Sequence, residues 1–333
     1  MKHIIISLSL LICFYAPSSA FADISKRADV KKFIKHMVKK HKFNSAELDD
    51  LFEHVVIKKK IIKAITRPAE AKPWYQYRKI FLTDKRVNGG VKFWEQNASV
   101  LQRAYNKFGV PPEIIIAIIG VESLYGKHKG TYRLMDSLST LAFDYPKRSK
   151  FFRGELEQYL LMAREEKVDA LTLKGSYAGA MGKPQFIASS FRSYAIDFDA
   201  DGKRDLWDNS TDVIGSVANY FNKHKWIKGQ PITSPAKLKT SKQTKAWVKK
   251  GIKPKIKVAT LIKNGVTIED ELPHDEKAAL LELELKDGHE YWVGMPNFYV
   301  ITRYNHSQLY AMAVYQLSQE ILKKRNMELS KAD

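Results

Sequence analysis

The chain has 333 residues, of which 44% are apolar and 28% charged, so it is long enough to bury a sizeable core and form two or three domains. This composition excludes a disordered chain, a collagen and a helical repeat array. Fifty-six basic residues outnumber 36 acidic ones. The formal charge of +20 indicates a polyanionic partner such as nucleic acid, anionic lipid or an acidic polymer.

The first 22 residues have the features of a secretory signal. Lys2 precedes an apolar run from Ile4 to about Tyr15, and Ala20-Phe21-Ala22 fits an A-x-A cleavage site. Because neither this run nor any later stretch reaches about 18 apolar residues, we expect export of a soluble chain after cleavage near Ala22. Lipid anchoring at Cys13, the only cysteine, is the less favoured alternative, since Ile12 is bulkier than the residue such a signal needs.

The stretch after the signal predicts an N-terminal helical domain over 23–108. Apolar residues recur at helical spacing from Asp29 to about Lys40 and again from Leu48 to Val56. Asn88-Gly89-Gly90 indicates a turn, and Val91 to Lys107 is expected to form a third helix.

Residues 109–228 are rich in glycine, aromatic residues and short helical patterns, and we expect them to form the central core. The composition then changes, because no Asp or Glu occurs between Val213 and Ile268. Alternation typical of half-buried strands occurs at Lys255–Val258, Leu281–Leu285 and Tyr291–Val293. We therefore predict a small β-rich insertion over 229–296 and a helix over 297–333 that returns to the core. The expected fold class is α+β, mainly α.

Glu122 stands at the end of a strongly apolar helical segment. Pro111-Pro112 begins the segment, and Ile114 to Ile119 make it apolar on all sides, which indicates a buried helix. Glu122 shares a face with the isoleucines three, four, seven and eight residues before it. Burial raises the pKa of a carboxyl, and the negative end of a helix that stops at Gly126 raises it further.

A carboxylic acid that stays protonated near neutral pH is a general acid for cleaving a glycosidic bond. On these residues alone, the alternatives are a helix end that frays and exposes Glu122 to water, or an ion pair with a nearby lysine or arginine.

Six motifs follow one another between about Trp74 and Met312. They are Gly109-Val110-Pro111-Pro112-Glu113-Ile114-Ile115, Gly120-Val121-Glu122-Ser123, Phe152–Arg164, Lys174–Gly182, Gln185-Phe186 and Phe298–Asn305. In this order they resemble the lytic murein transglycosylase B family. The resemblance implies a lysozyme-like catalytic core, a helical domain before it and a small β domain inserted late in the chain.

The resemblance further implies cleavage of the β-1,4 bond between N-acetylmuramic acid and N-acetylglucosamine of peptidoglycan, with a 1,6-anhydromuramoyl product. Glu122 matches the family's single catalytic acid and base, which would protonate the glycosidic oxygen and then take the proton of the sugar's C6 hydroxyl. Because the nucleophile belongs to the substrate, no second carboxylate is needed, unlike the usual pair. Asp136 and Asp144 are therefore interpreted as structural. Together with the signal, the resemblance implies a periplasmic location.

Six further residues match positions that line the substrate cleft in the family. They are Ser176, Gln185, Tyr304, Asn305, Tyr77 and Arg148. A hydroxyl at Ser176 and an amide at Gln185 can hold an acetamido group and the glutamate. One departure follows Gln185-Phe186, where the family usually has Met-Pro before two serines. Ile187-Ala188 stand there instead, and Pro184 comes three residues earlier, so we expect a different local turn.

The segment 197–208 has the pattern of an EF-hand calcium loop. Acidic residues occupy positions 1, 3, 5, 9 and 12, glycine occupies position 6, and position 7 would give its carbonyl. The predicted ligands are Asp197, Asp199, Asp201, Lys203, Asp205 and Asp208. Since Asp208 is shorter than the glutamate usual at position 12, we expect weak binding of a structural Ca²⁺. The alternative is an acidic turn offset by neighbouring bases.

Two other functions stay open from the sequence, a hydrolysing lysozyme-type muramidase and a non-enzymic adaptor that binds the cell wall. Nucleic-acid binding by the lysine-rich stretch is disfavoured by the export signal. We expect peptidoglycan glycan strands as the partner, other cell-wall enzymes as further partners, no nucleic acid and a monomer. Apart from Ca²⁺, no organic cofactor is expected.

Overall fold

The computed structural model describes residues 23–66, 72–239 and 241–331. The predicted signal, with Cys13 and the cleavage site at Ala22, lies outside these residues. Backbone contacts divide the chain into two compact units, one that ends at Val56 and one from Ile57 onward. The domain boundaries expected after residues 108, 228 and 296 all fall inside the second unit and stay predictions.

The first unit is a pair of helices whose apolar faces meet. Its elements are a 3-10 turn (Ile24–Lys26), α1 (Ala28–His41) and α2 (Ser45–Glu53). The helical spacing read from the sequence is confirmed here. Asn44 caps α2, since its side-chain oxygen accepts a hydrogen bond of 2.8 Å from the amide of Ala46. The rings of Phe33 and Phe52 meet edge to face with centroids 6.0 Å apart.

The second unit is mainly helical. Its helices before the insertion are α3 (Lys59–Thr66), α4 (Trp74–Phe81), α5 (Asp84–Gln96), α6 (Ala98–Phe108), α7 (Pro112–Ser123), α8 (Leu134–Asp144), α9 (Ser149–Glu165), α10 (Ala188–Tyr194) and α11 (Ser210–Lys223). Later helices are α12 (Lys242–Val248), α13 (Val258–Lys263), α14 (Pro296–Tyr304) and α15 (Gln308–Leu329). The strands are β1 (Tyr132–Arg133), β2 (Lys174–Gly175), β3 (Thr233–Lys237), β4 (Ile256–Lys257), β5 (Thr267–Ile268), β6 (Lys277–Glu284) and β7 (His289–Gly294).

The turn predicted at Asn88-Gly89-Gly90 is wrong, because α5 runs through these residues. A Cβ atom on the first glycine would lie 2.7 Å from the ring of Tyr125, and one on the second would lie 2.5 Å from Ile321. The glycines therefore allow close packing and do not mark a turn. The single helix predicted over Val91 to Lys107 is also wrong. The segment contains the end of α5 and most of α6, and the two helices are separated by Asn97.

The buried helix expected after Pro111 is α7, and it lies at the centre of the second unit against α5, α6, α11 and α15. Every residue from Ile114 to Val121 is buried. The helix ends at Ser123, three residues before the predicted end at Gly126, because Leu124 adopts the left-handed conformation with φ of 50°.

The predicted β-rich insertion is an antiparallel sheet with strand order β4-β6-β7-β3-β5. Alternate residues of β6 point to opposite faces. Leu280 shares one apolar cluster with Trp247 of α12, whereas Leu281 lies on the other face near Phe298 of α14. The sheet is thus covered by α12 and α13 on one face and by α14 and α15 on the other.

The single C-terminal helix predicted over 297–333 is wrong, since α14 and α15 are separated at Asn305–Ser307. Ser307 caps α15 by accepting a hydrogen bond of 3.3 Å from the amide of Tyr310. None of the helices in the described part of the chain combines the length and the apolar character needed to cross a bilayer.

Candidate active site

Glu122 occupies the last turn of α7 with its carboxyl directed at α15. The phenol of Tyr310 donates a hydrogen bond of 2.5 Å to Glu122 Oε1. Burial of the carboxyl raises the pKa of Glu122 from 4.5 to about 7, and the bond from Tyr310 opposes this shift. Glu122 as a whole residue is of intermediate exposure, so the end of α7 that carries the acid lies close to the surface.

Three tyrosines form an aromatic wall around Glu122. The rings of Tyr304 and Tyr310 are nearly parallel, with centroids 6.4 Å apart. Burial, followed by the charge of Glu122, raises the pKa of Tyr77, Tyr304 and Tyr310, so all three phenols stay neutral. Tyr77 and Tyr304 were predicted from the sequence, whereas Tyr310 was not.

The residue after Glu122 ties α7 to the glycine-rich segment. Ser123 Oγ donates a hydrogen bond of 2.6 Å to the backbone carbonyl of Lys183. The backbone amide of Lys183 in turn donates one of 2.8 Å to the carbonyl of Leu206. The phenol of Tyr304 donates a 2.5 Å bond to the carbonyl of Pro184. Hydrogen bonds from Ser123, the neighbour of Glu122, and from Tyr304 therefore hold the turn that contains Pro184.

Ser176 and Gln185 line one cavity of about 330 Å³. Gln185 has a positive φ of 51°. Its side-chain amide, Nε2, donates hydrogen bonds to the carbonyls of Gly182 (2.8 Å) and Lys129 (3.3 Å). Ser176 Oγ accepts a hydrogen bond of 2.9 Å from the amide of Ala180, which leaves its hydroxyl proton available to a ligand. Ser176 is therefore held by its own turn, and Gln185 by its own turn together with the carbonyl of Lys129.

Two further predicted cleft residues, Arg148 and Asn305, do not line this cavity. Arg148 is exposed and stacks over the ring of Phe151 at 4.3 Å, lining a different cavity of about 710 Å³ beside Ser189. Asn305 is exposed where α14 ends. The structure therefore does not bring Arg148 into the cavity of Ser176 and Gln185.

Asp136 agrees with a structural interpretation. It is buried, and its carboxylate pairs with the guanidinium of Arg133 at 2.7 Å and with the ammonium of Lys58 at 3.3 Å. Asp144 is the last residue of α8.

The acidic loop brings four carboxylates together. Oxygen atoms of Asp197, Asp199, Asp201 and Asp212 all lie within 4.8 Å of one another. Asp212 is buried in the first turn of α11, and this burial raises the pKa of its carboxyl. Carboxylate oxygens at such spacing suit a hard cation such as Ca²⁺, so the donor set fits the expected metal.

Asp212 takes the place in this cluster that the sequence pattern gave to Asp208. The side chain of Asp208 pairs with the ammonium of Lys129 at 2.7 Å, and Asp205 accepts hydrogen bonds from the amides of Trp207 and Asp208. Lys203 is exposed. The signal that could have revealed Asp212 is its position three residues after a helix cap, Asn209, at the end of the acidic segment.

A mainly helical core that presents one carboxylic acid at a helix end, beside an aromatic wall, is typical of lysozyme-like enzymes that cleave glycans. Residues 25–319 match the family model described as the transglycosylase SLT domain, and the chain belongs to this family.

Similarity to individual proteins agrees with this family. The chain is 43% identical over 309 residues to membrane-bound lytic murein transglycosylase B of Escherichia coli, covering 90% of this chain and 84% of the relative. The structure of catenated lytic transglycosylase SltB1 from Pseudomonas aeruginosa superposes with a TM-score of 0.87 at 49% identity, covering 91% and 100% of the two chains. Escherichia coli Slt35 in complex with calcium superposes with a TM-score of 0.83 at 43% identity, covering 91% and 95%.

The chain is therefore a peptidoglycan lytic transglycosylase with a lysozyme-like α+β fold, as the sequence motifs implied.

Proposed function

We propose that Glu122 alone serves as acid and then base in cleaving the β-1,4 bond between N-acetylmuramic acid and N-acetylglucosamine. The observation that carries this proposal is the Glu122 carboxyl itself, which lies in the last turn of α7 and accepts a hydrogen bond from Tyr310. Burial raises its pKa to about 7, which places both protonation states within reach near neutral pH.

In the first step, protonated Glu122 gives its proton to the glycosidic oxygen as the bond from the muramoyl C1 to that oxygen breaks. The 4-hydroxyl of N-acetylglucosamine leaves. In the second step, the C6 hydroxyl of the muramoyl residue attacks C1, and the Glu122 carboxylate takes the hydroxyl proton. The product is a 1,6-anhydro ring, and Glu122 is again protonated. No water is consumed, which distinguishes this reaction from hydrolysis.

The surroundings of Glu122 support a single-carboxylate mechanism. The phenols of Tyr77, Tyr304 and Tyr310 interact electrostatically with it. Tyr310 can donate to the carboxylate formed between the two steps, which stabilises the charged state when it is needed.

We further propose that Ser176 and Gln185 bind the acetamido side of the sugar, with Tyr77, Tyr304 and Asn305 around the glutamate. The hydroxyl and amide share one cavity, which supports their acting on one sugar. Arg148, in a separate cavity, is assigned to a more distant part of the glycan strand or its peptide.

The acidic loop is proposed to hold one structural Ca²⁺ through Asp197, Asp199, Asp201 and Asp212. The complex of Escherichia coli Slt35 with calcium supports this assignment. The ion would offset two of the negative charges that these carboxylates carry and so stabilise the loop, and no step of the reaction passes through it.

The chain is proposed to act in the periplasm on peptidoglycan strands as a monomer, after cleavage near Ala22, and to meet other cell-wall enzymes there. The apolar run before Ala22 supports export.

The test is mass spectrometry of the products released from purified sacculi by the wild-type protein and by Glu122→Gln. We expect 1,6-anhydromuropeptides from the wild type and a loss of at least about 10²-fold in the variant. Reducing-end muropeptides from the wild type would instead identify a hydrolase. Binding to sacculi without release of any product would identify an adaptor.

A further inference from the structure

The inserted segment carries a concentration of positive charge that the cleft does not use. Between Val213 and Ile268 the sequence has 13 lysines and neither Asp nor Glu. Six of these lysines lie on α12 and in the loop after it, all are exposed, and together we call them the α12 lysine face. They are Lys242, Lys245, Lys249, Lys250, Lys253 and Lys255.

Along α12 and its C-terminal cap, Lys249, helical spacing places the lysines on one side. Lys242, Lys245 and Lys249 recur three, four and seven residues apart, which makes them neighbours on the helix surface. Thr244 and Trp247 are buried and hold the opposite side of the helix against the sheet.

The loop after α12 extends the same surface. Lys255 Nζ donates a hydrogen bond of 3.3 Å to the carbonyl of Lys250, which brings the loop to the end of the helix. Because Ile256 points into the core of the insertion, its neighbours Lys255 and Lys257 point outward. Lys257 also stands directly opposite Lys277 on β6, a destabilising arrangement of like charges.

Among the described residues, neutralising partners lie at the border of this surface. Lys237 pairs with Glu269 at 3.6 Å, and Lys257 pairs with Asp275 at 3.1 Å. For the six lysines of the α12 lysine face, the described residues provide no ion pair within 4.0 Å. Their charge is therefore directed to solvent or to an external anion.

The sheet separates this face from the catalytic side. Trp247 of α12 packs on one face of the sheet, whereas Trp292 of β7 meets Tyr315 of α15 from the other face, with ring centroids 6.2 Å apart. Since α15 also carries Tyr310, two packing layers of about 10 Å each lie between the lysines and the helix that contacts Glu122.

We propose that the α12 lysine face is a second wall-binding surface, which binds carboxylates of peptidoglycan stem peptides away from the cleft. The proposal rests on the proposed function only in taking peptidoglycan as the polymer. Single surface ion pairs are weak, but several acting together retain the enzyme on a polymer between cleavage events.

The composition of the face favours a carboxylate polymer over nucleic acid. Nucleic-acid surfaces commonly use arginine for bidentate contacts and exposed aromatic rings for stacking. Between Lys242 and Lys257 the sequence has no arginine, and its only aromatic residue, Trp247, is buried.

The test measures binding to purified sacculi in a Glu122→Gln background, so that the polymer is not degraded. The test variant combines Lys249→Glu, Lys250→Glu and Lys253→Glu. The matched control combines Lys31→Glu, Lys35→Glu and Lys39→Glu, which reverses three exposed lysines of α1 in the first unit. A milder triple Lys→Gln variant at 249, 250 and 253 serves if the reversal impairs folding, judged by thermal melting.

We expect the dissociation constant at low salt to rise about tenfold for the test variant and less than about twofold for the control, if each lost contact contributes about twofold. The difference should disappear near 0.5 M salt, where screening is strong. It should also disappear on sacculi whose carboxylates are capped by amidation.

Equal weakening by the test and control variants would overturn the proposal. So would a difference that survives carboxylate capping, or competition by a short DNA duplex as effective as that by soluble stem peptides. The same lysine substitutions are also made in a protein that keeps Glu122. On a short soluble glycan, these variants should release anhydromuropeptides at the wild-type rate. This measurement separates failure of the surface from failure of the catalytic assignment.

Discussion

Tyr310 and Glu122 are 188 positions apart in the sequence, yet a hydrogen bond of 2.5 Å joins the phenol to the carboxyl. Burial favours the protonated acid, whereas Tyr310 favours the carboxylate. The pair therefore balances the two protonation states that an acid-then-base mechanism requires.

The first prediction tests this balance with Tyr310→Phe. Loss of the donated bond should raise the pKa of Glu122, which moves the alkaline limb of the pH–rate profile upward by about one unit and lowers kcat about tenfold. Tyr304→Phe is the comparison for the pKa alone: its phenol bonds to Pro184 and not to Glu122, so the alkaline limb should move less than in Tyr310→Phe. An alkaline limb that does not move in Tyr310→Phe would contradict the assigned role.

The second prediction concerns the stability cost of Glu122. The folded-state pKa of about 7 lies above the ordinary value of 4.5, so the folded protein binds more protons than the unfolded chain between these pH values. The free energy of unfolding contributed by this group is then full below about pH 4.5 and is lost as pH rises through 7.

Glu122→Gln removes this loss. Above pH 7, the unfolding free energy of the variant should exceed that of the wild type by about 1–3 kcal/mol. The lower part of this range allows for the partial exposure of the residue. Near pH 4.5 the two proteins should be equally stable. Urea denaturation at the two pH values measures the difference. Equal stability of the two proteins at pH 8 would show that burial does not destabilise the ionised carboxyl.

The third prediction separates Asp212 from Asp208 as ligands. Calcium should raise the melting temperature of the wild type and of Asp208→Asn, since Asp208 pairs with Lys129, but not of Asp212→Asn. A ligand that binds only the folded state stabilises it by about 2.7 kcal/mol at a hundredfold excess over Kd. Melting curves with chelator and with millimolar calcium give the comparison. If the calcium effect were lost in Asp208→Asn and kept in Asp212→Asn, Asp208 would be the ligand, as the twelve-residue sequence pattern predicts.

The elements that could be predicted from the sequence are those specified by neighbouring residues. The proline pair at 111 and 112 and the run of isoleucines after it define α7 and the buried face of Glu122. The segments predicted as strands from alternation overlap β4, β6 and β7, whereas β3 and β5 were not predicted.

The features that could not be predicted depend on residues distant in the sequence. The two glycines of α5 indicate a turn when only their neighbours in sequence are considered. Their role in close packing becomes clear only from their contacts with the ring of Tyr125 and the side chain of Ile321. Tyr310 has no local signal that links it to Glu122. Asp212 belongs to a helix that begins after the acidic pattern, so the loop pattern alone assigns its place to Asp208.

The last prediction concerns Lys183, which connects the cleft to the acidic loop. Its ammonium donates hydrogen bonds of 2.9 Å to the carbonyl of Asp208 and to Ser210 Oγ, while its carbonyl accepts from Ser123 beside Glu122. Burial, and then the positive charge of Lys129, lowers the pKa of this ammonium. Lys183→Met keeps the apolar stem but removes both donated bonds, so the turn that carries Gln185 should become less ordered.

We expect Lys183→Met to raise KM about three- to tenfold while kcat changes by less than about threefold, because the loss affects sugar binding more than the acid, and two charge-assisted hydrogen bonds are involved. Lys223→Met, at an exposed position of α11, is the control and should leave both constants unchanged. Steady-state kinetics on a soluble glycan fragment provides the measurement. A fall in kcat at constant KM would instead mean that Lys183 acts on Glu122 through Ser123, and unchanged constants would mean that the turn is ordered without its lysine.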